Sequence, residues 1–180
     1  MKDNYRNSIL SNKLAFGCSH TWGVGVDEHE AWSSLLGAMN FGVAGCSADL
    51  IARIFEPVIL EHCPTTVYIL WPNWTRFEYM ELGVYKQSLA ADTNRMTFMS
   101  KATDDWLHEN FETHSNIIRT LCSQYRIKLV ELTLDDLVPY IDHADKWPIS
   151  RLGHLMPQHG IPKLQLFLKI SNMNKPIQDI

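Results

Sequence analysis

Lys13-Leu14-Ala15-Phe16-Gly17-Cys18-Ser19-His20-Thr21-Trp22-Gly23 decides the fold. Lys13–Phe16 is a short apolar segment that stops at Gly17, the pattern of a buried strand running into a tight turn. After the Gly-rich loop, Ala31–Ala38 reads as helical. Met39–Val43 is a second short strand candidate, bounded by Gly42 and Gly45. Ser47 or Asp49 then caps a helix over roughly Ala48–Glu61, where Leu50, Ile51, Ile54, Phe55, Val58 and Ile59 recur at helical spacing. Pro57 falls inside that stretch and predicts a kink or an early stop.

Further on, Thr66–Leu70 (TVYIL) is β-branched and aromatic and apolar on both faces, the signature of a strand buried on both sides. Trp71–Ala102 lacks clear periodicity. A connection that long predicts a helical piece and a functional cover, placed at about 74–102. Asp104–Tyr125 reads as a long helix, Lys128–Leu132 as a buried strand, and Ile161–Ser171 as a closing helix with Pro162 in its first turn. Strand and helix therefore alternate along the whole chain. That order predicts an α/β domain with a parallel sheet between two helical layers, a three-layer α/β/α sandwich. With flavodoxin-like order, Lys13–Phe16 is central, flanked by Met39–Val43 and Thr66–Leu70.

The bulk properties agree with one domain over 1–180. The chain has 180 residues, 46% hydrophobic and 20% charged, enough to bury a core without cross-links. Its formal net charge of −4 and pI of about 6.0 argue against a nucleic-acid partner. Asp3, Asn4, Arg6 and Asn7 interrupt any signal-peptide core, and no stretch is long enough to span a bilayer. The expectation is a cytoplasmic protein with no membrane partner. Cys18, Cys46, Cys63 and Cys122 show no C-x-x-C pairing, so free thiols are expected rather than a zinc site or a disulfide framework.

In sheets of this kind, chemistry collects in loops after the strand C-termini, and four motifs fall there. Gly17–Gly23 presents Ser19 at a glycine-flanked turn, where its hydroxyl can be exposed and its N–H offered to an oxyanion; the bland alternative is a Gly/Ser turn. In Asn40-Phe41-Gly42-Val43-Ala44-Gly45-Cys46-Ser47, Gly45 lets the backbone approach a ligand, or the segment is a loop with a helix cap. In Leu70-Trp71-Pro72-Asn73-Trp74-Thr75-Arg76, Asn73 can donate its amide to an oxyanion or serve as a turn former. Arg76 either binds an anionic substrate group or pairs with Glu78, and Trp71 either walls a pocket or joins the core. Arg151-Leu152-Gly153-His154-Leu155-Met156-Pro157-Gln158-His159 offers a loop histidine as general base, or a surface or capping histidine.

Taken in order, G-x-S-x-T-x-G, N-x-G-x-x-G-x-S, an Asn after the third strand and a late loop His resemble the SGNH (GDSL-like) hydrolases. The resemblance spans about Leu14 to His159. It implies Ser19 as nucleophile, His154 as general base, and an oxyanion hole from the Ser19 N–H, the Gly45 N–H and the Asn73 side chain. His20, Trp71 and Arg76 are the accompanying candidates for substrate binding. The GCSHTWG variant is also similar to SGNH-type proteins of large tailed-phage genomes. Three positions depart from the family pattern. Cys18 replaces the usual Asp before the nucleophile. Trp71-Pro72-Asn73-Trp74 replaces G-x-N-D. Arg151 occupies the place of the Asp three residues before the catalytic His, leaving Asp142, Asp145 or a backbone carbonyl to orient the imidazole. His159 is the alternative base.

The reading is a serine esterase or deacylase for a small acyl ester, such as an O-acetylated carbohydrate, with no cofactor and no metal. The competing reading is a non-catalytic binding or structural domain on the same scaffold. A metal site from His143, His154, His159 and Asp142 or Asp145 fits no ligand spacing that metal chemistry favours.

Overall fold

The computed structural model describes residues 11–24, 27–81, 83–87 and 103–133. Six strands and four α-helices lie among them. Strand β1 (Lys13–Gly17) leads into the one-turn helix α1 (Ser19–Trp22). A 3-10 turn (Glu28–Glu30) and a second short helix, α2 (Trp32–Leu35), precede β2 (Met39–Gly42). Helix α3 (Ala48–His62) and β3 (Thr66–Leu70) follow. Strands β4 (Glu78–Glu81) and β5 (Val84–Gln87) form an antiparallel hairpin. The long helix α4 (Asp104–Gln124) then leads to β6 (Lys128–Leu132).

The main sheet has the order β2-β1-β3-β6, and every pairing in it is parallel. Strand β1 is therefore central with β2 and β3 beside it, the α/β, flavodoxin-like arrangement that the alternating sequence predicts. Alternation along the strands divides two cores between its faces. Leu14, Phe16, Met39, Phe41, Val67 and Ile69 face Ile51, Phe55 and Ile59 of α3 and Ile118 and Cys122 of α4. Phe16 is fully buried between two rings, with centroids 5.5 Å from Phe41 and 5.1 Å from Phe55. On the opposite face Ala15, Tyr68, Leu70, Val130 and Leu132 pack with Trp32 and Ala38, so α2 covers part of that side.

Local chemistry explains the helix limits. The Ser47 hydroxyl accepts from the Leu50 N–H at the start of α3, and Thr103 accepts from Trp106 at the start of α4. Cys63 ends α3 in a left-handed conformation, φ 45°. Helix α3 runs through Pro57, where a kink or stop was expected. Pro57 sits on the solvent face, where the carbonyl it cannot satisfy can meet water.

One other expectation needs correction. The helix read over Ala31–Ala38 shrinks to one turn, Trp32–Leu35, because Gly37 takes φ 63° and turns the chain into β2. Between Trp71 and Gln87 the described residues form the β4–β5 hairpin, and the helical piece expected in Trp71–Ala102 falls outside the described residues. The closing helix at Ile161–Ser171, the remainder of the 74–102 segment and the loop carrying Arg151, His154 and His159 lie outside the described residues. Among the described residues, no helix is long and apolar enough to cross a membrane.

Candidate active site

Three loops leave one edge of the sheet at the same level. Gly17, the last residue of β1, pairs with Gly42 of β2 on one side and with Leu70 of β3 on the other. The chain that follows each of these residues carries one predicted block: Ser19 after β1, Gly45 after β2 and Asn73 after β3.

The serine loop is pressed down onto the sheet. Gly17 has φ 152°, and a Cβ there would lie 2.1 Å from Thr21 Oγ1 and 2.6 Å from the Leu70 carbonyl oxygen. At Gly42 a Cβ would lie 2.4 Å from the Trp22 backbone nitrogen. These two glycines permit α1 to sit directly on the ends of β1 and β2. Asn40, buried within β2, holds it there. Its Nδ2 donates to the Thr21 carbonyl at 2.8 Å, while its Oδ1 accepts from the Gly42 N–H at 2.9 Å. The sequence motif contains Asn40, but the sequence reading assigned it no role. Its signal was an amide inside an otherwise apolar strand, where burial demands partners at both ends.

Ser19 is the first residue of α1 and is 2% exposed. The turn reading anticipated an exposed hydroxyl. The Asn40 clamp and the glycine contacts instead draw the serine in, 4.0 Å from the Cys18 sulfur. Cys18, the residue before α1, belongs to the core on the α3 side, so its thiol faces inward as expected of a neighbour at a strand exit. His20 lies partly exposed on α1.

Gly45 adopts φ 79° in a turn closed by the Cys46 N–H on the Val43 carbonyl, 3.1 Å. That φ is the one a type II turn needs at its third residue, hence glycine. The loop is stitched to the serine loop's base by the Val43 N–H on the Gly17 carbonyl, 2.9 Å.

Asn73 is exposed, and its Oδ1 accepts from the Thr75 N–H at 2.9 Å and from the Thr75 hydroxyl at 2.7 Å. Here the turn-forming role is realised. A backbone N–H can only donate, which identifies the oxygen end of the amide and leaves the Asn73 NH2 as the end that donates elsewhere. Trp71 lies in the core, 2% exposed, edge-on to Phe111, with its indole N–H on Glu131 at 2.9 Å. Of its two possible roles it takes the structural one.

Arg76 does not take Glu78 as its hydrogen-bonded partner. Glu78 is bound by Arg53 through two bonds of 3.1 and 2.8 Å. The Glu78 N–H also donates to Asp49 at 3.2 Å, and the Asn110 amide donates to Asp49 at 2.8 Å. Asp49, a cap candidate in the sequence, instead ties the hairpin to the starts of α3 and α4. Arg76 Nη1 is buried with no hydrogen-bond partner.

No group of His, Cys, Asp and Glu able to hold a metal ion occurs among the described residues. No protein-family model matches the chain, and no curated protein does. Among solved structures, the chain is similar to a protein described as lipolytic and of the G-D-S-L family, from Desulfitobacterium hafniense DCB-2. The two are 14% identical, with 91% of this chain and 99% of that one covered and a TM-score of 0.43. The architecture given above rests on this chain's own strand order and register.

The thiol of Cys46, next to Gly45, is a poor nucleophile. Burial pushes the Cys46 thiol strongly upward, with nearby Cys18 adding to the effect. Cys46 therefore stays neutral in the folded chain at pH values where an unfolded thiol, with pKa near 8.5, ionises. Because the folded value is the higher one, stability is complete below that range and falls as pH rises through it. Between pH 8 and 10.5 the native protein is expected to lose about 2.5 kcal/mol more than Cys46→Ala, measured by urea unfolding. Equal losses in the two proteins would show that this thiol is not the cause.

Proposed function

We propose that the protein is a serine hydrolase that cleaves a small acyl ester, with O-acetylated carbohydrate as a candidate substrate class. The observation that carries this reading is the common level at which the Ser19, Gly45 and Asn73 loops leave three adjacent parallel strands. A reacting carbonyl held above that edge would meet a nucleophile from one loop and oxyanion donors from all three.

In this mechanism Ser19 Oγ attacks the ester carbonyl and its proton passes to His154. The oxyanion that forms is held by the Ser19 and Gly45 N–H groups and the Asn73 amide. Collapse of the tetrahedral intermediate expels the alcohol, which takes the proton from His154. Water then attacks the acyl-serine with His154 again as base, releasing the acid and restoring Ser19. Arg151 stands where the family carries an acidic partner for the histidine. A cation there makes imidazolium harder to form, so the unassisted pair is expected to be slow. Arg151→Asp is expected to raise turnover of p-nitrophenyl acetate at least about tenfold. An unchanged or lower rate would contradict the role given to His154.

A second reading, a non-catalytic binding domain on the same scaffold, is favoured by one observation: Ser19 is only 2% exposed. The two separate on whether Ser19 is chemically reactive.

A further inference from the structure

The loop after β3 holds a cation whose hydrogen-bonding capacity the described residues do not satisfy. Arg53 and Arg119 each rest on a carboxylate, Glu78 and Glu131 respectively. Arg76 differs, because its Nη1 is buried and has no hydrogen-bond partner. A buried cationic donor left without an acceptor is costly, and unlike the neutral Trp32 Nε1 and Ser33 Oγ, which also lack partners, it calls for an acceptor from water, an ion or a ligand. The carboxylate nearest in sequence is held by Arg53 through both of its oxygens.

The position of Arg76 is as informative as its lack of a partner. Its own N–H closes a turn on the Asn73 carbonyl at 3.0 Å, so it belongs to the same small loop as the proposed oxyanion amide. Two residues further on, the Glu78 N–H donates to Asp49 at 3.2 Å, and Asp49 stands at the start of α3, directly after the Gly45 loop. The segment that carries Arg76 is thus joined to the Asn73 turn on one side and to the element following the Gly45 loop on the other.

We propose that Arg76 recognises an anionic oxygen group carried by the ester substrate, so that the enzyme prefers acidic esters to neutral ones. This deepens the hydrolase reading and rests on it. A guanidinium suits the task because it stays charged and presents planar donors that match carboxylate or phosphate oxygens. In a chain of net charge −4, a cation placed at the reactive edge would also offset the repulsion an anionic substrate meets elsewhere.

The test uses the full chain and two fluorophosphonates of equal chain length, one ending in a methyl group and one in a carboxylate. Labelling of Ser19 is followed by mass spectrometry. The carboxylate probe is expected to label Ser19 at least about tenfold faster, equivalent to about 1.4 kcal/mol. In Arg76→Gln that ratio is expected to fall to about one, and Arg76→Lys to retain part of it. A ratio near one in the native protein, or one that survives in folded Arg76→Gln, overturns the proposal while leaving Ser19 as nucleophile. If Arg76→Gln does not fold, the native ratio and Arg76→Lys decide. If neither probe reacts with Ser19, the hydrolase reading fails, and anion recognition is judged by thermal midpoint. Adipate or inorganic phosphate should then raise the midpoint of the native protein more than that of Arg76→Lys, the effective anion identifying the group recognised. No shift with either anion overturns anion recognition as well.

Discussion

Ser19→Ala is expected to lower kcat/KM on p-nitrophenyl acetate by at least about a thousandfold, while the protein stays folded. The size follows from the role: without the hydroxyl no acyl-enzyme can form, and what remains is the oxyanion donors acting on water. The fold should tolerate the change. Alanine is favourable in a helix, and α1 is anchored by backbone groups, with the Thr21 and Trp22 N–H groups on the Cys18 carbonyl at 3.0 and 2.9 Å. Circular dichroism and a thermal scan beside the kinetics separate lost chemistry from lost structure. A variant that retains the native rate would assign any activity to another site.

Gly17→Ala is expected to have the largest effect on stability, about 4 kcal/mol destabilising. Two costs combine. The backbone at φ 152° lies where residues with a Cβ are strained, and the new methyl would fall 2.1 Å from Thr21 Oγ1 and 2.6 Å from the Leu70 carbonyl. The threonine hydroxyl can rotate away, but the carbonyl belongs to the ladder between β1 and β3 and cannot. Relief requires α1 to lift from the sheet, which would also break the Asn40 bond to Thr21. Ser19 reactivity should therefore fall together with the urea midpoint. A stable Gly17→Ala protein would mean that the close approach of α1 is unnecessary.

The sheet was legible in the sequence because its strands are short apolar or β-branched runs bounded by glycine or turn residues. Thr66–Leu70 and Lys128–Leu132 could hardly be anything else, and Gly17 and Gly42 mark where the first two strands stop. Helix α3 was legible from its period and from Ser47. The hairpin at Glu78–Gln87 was not, since its residues EYME and VYKQ show no clean alternation and its attachment depends on Asp49, far away in sequence. The site was legible as a set of loops and not as a set of contacts. That Asn40 clamps α1, that Trp71 points into the core against Glu131, and that Arg53 rather than Arg76 takes Glu78 all follow from tertiary neighbours. Spacing along the chain carries no trace of such choices.

The proposed hydrolase function requires Ser19 to be a reactive serine, and the most direct measurement is to locate the adduct formed with a small fluorophosphonate. Tandem mass spectrometry of the digested protein is expected to find one stoichiometric adduct on Ser19, with none on Cys18 and none in Ser19→Ala. An adduct on Cys18, or no adduct under conditions that fully label a control serine esterase, would contradict it.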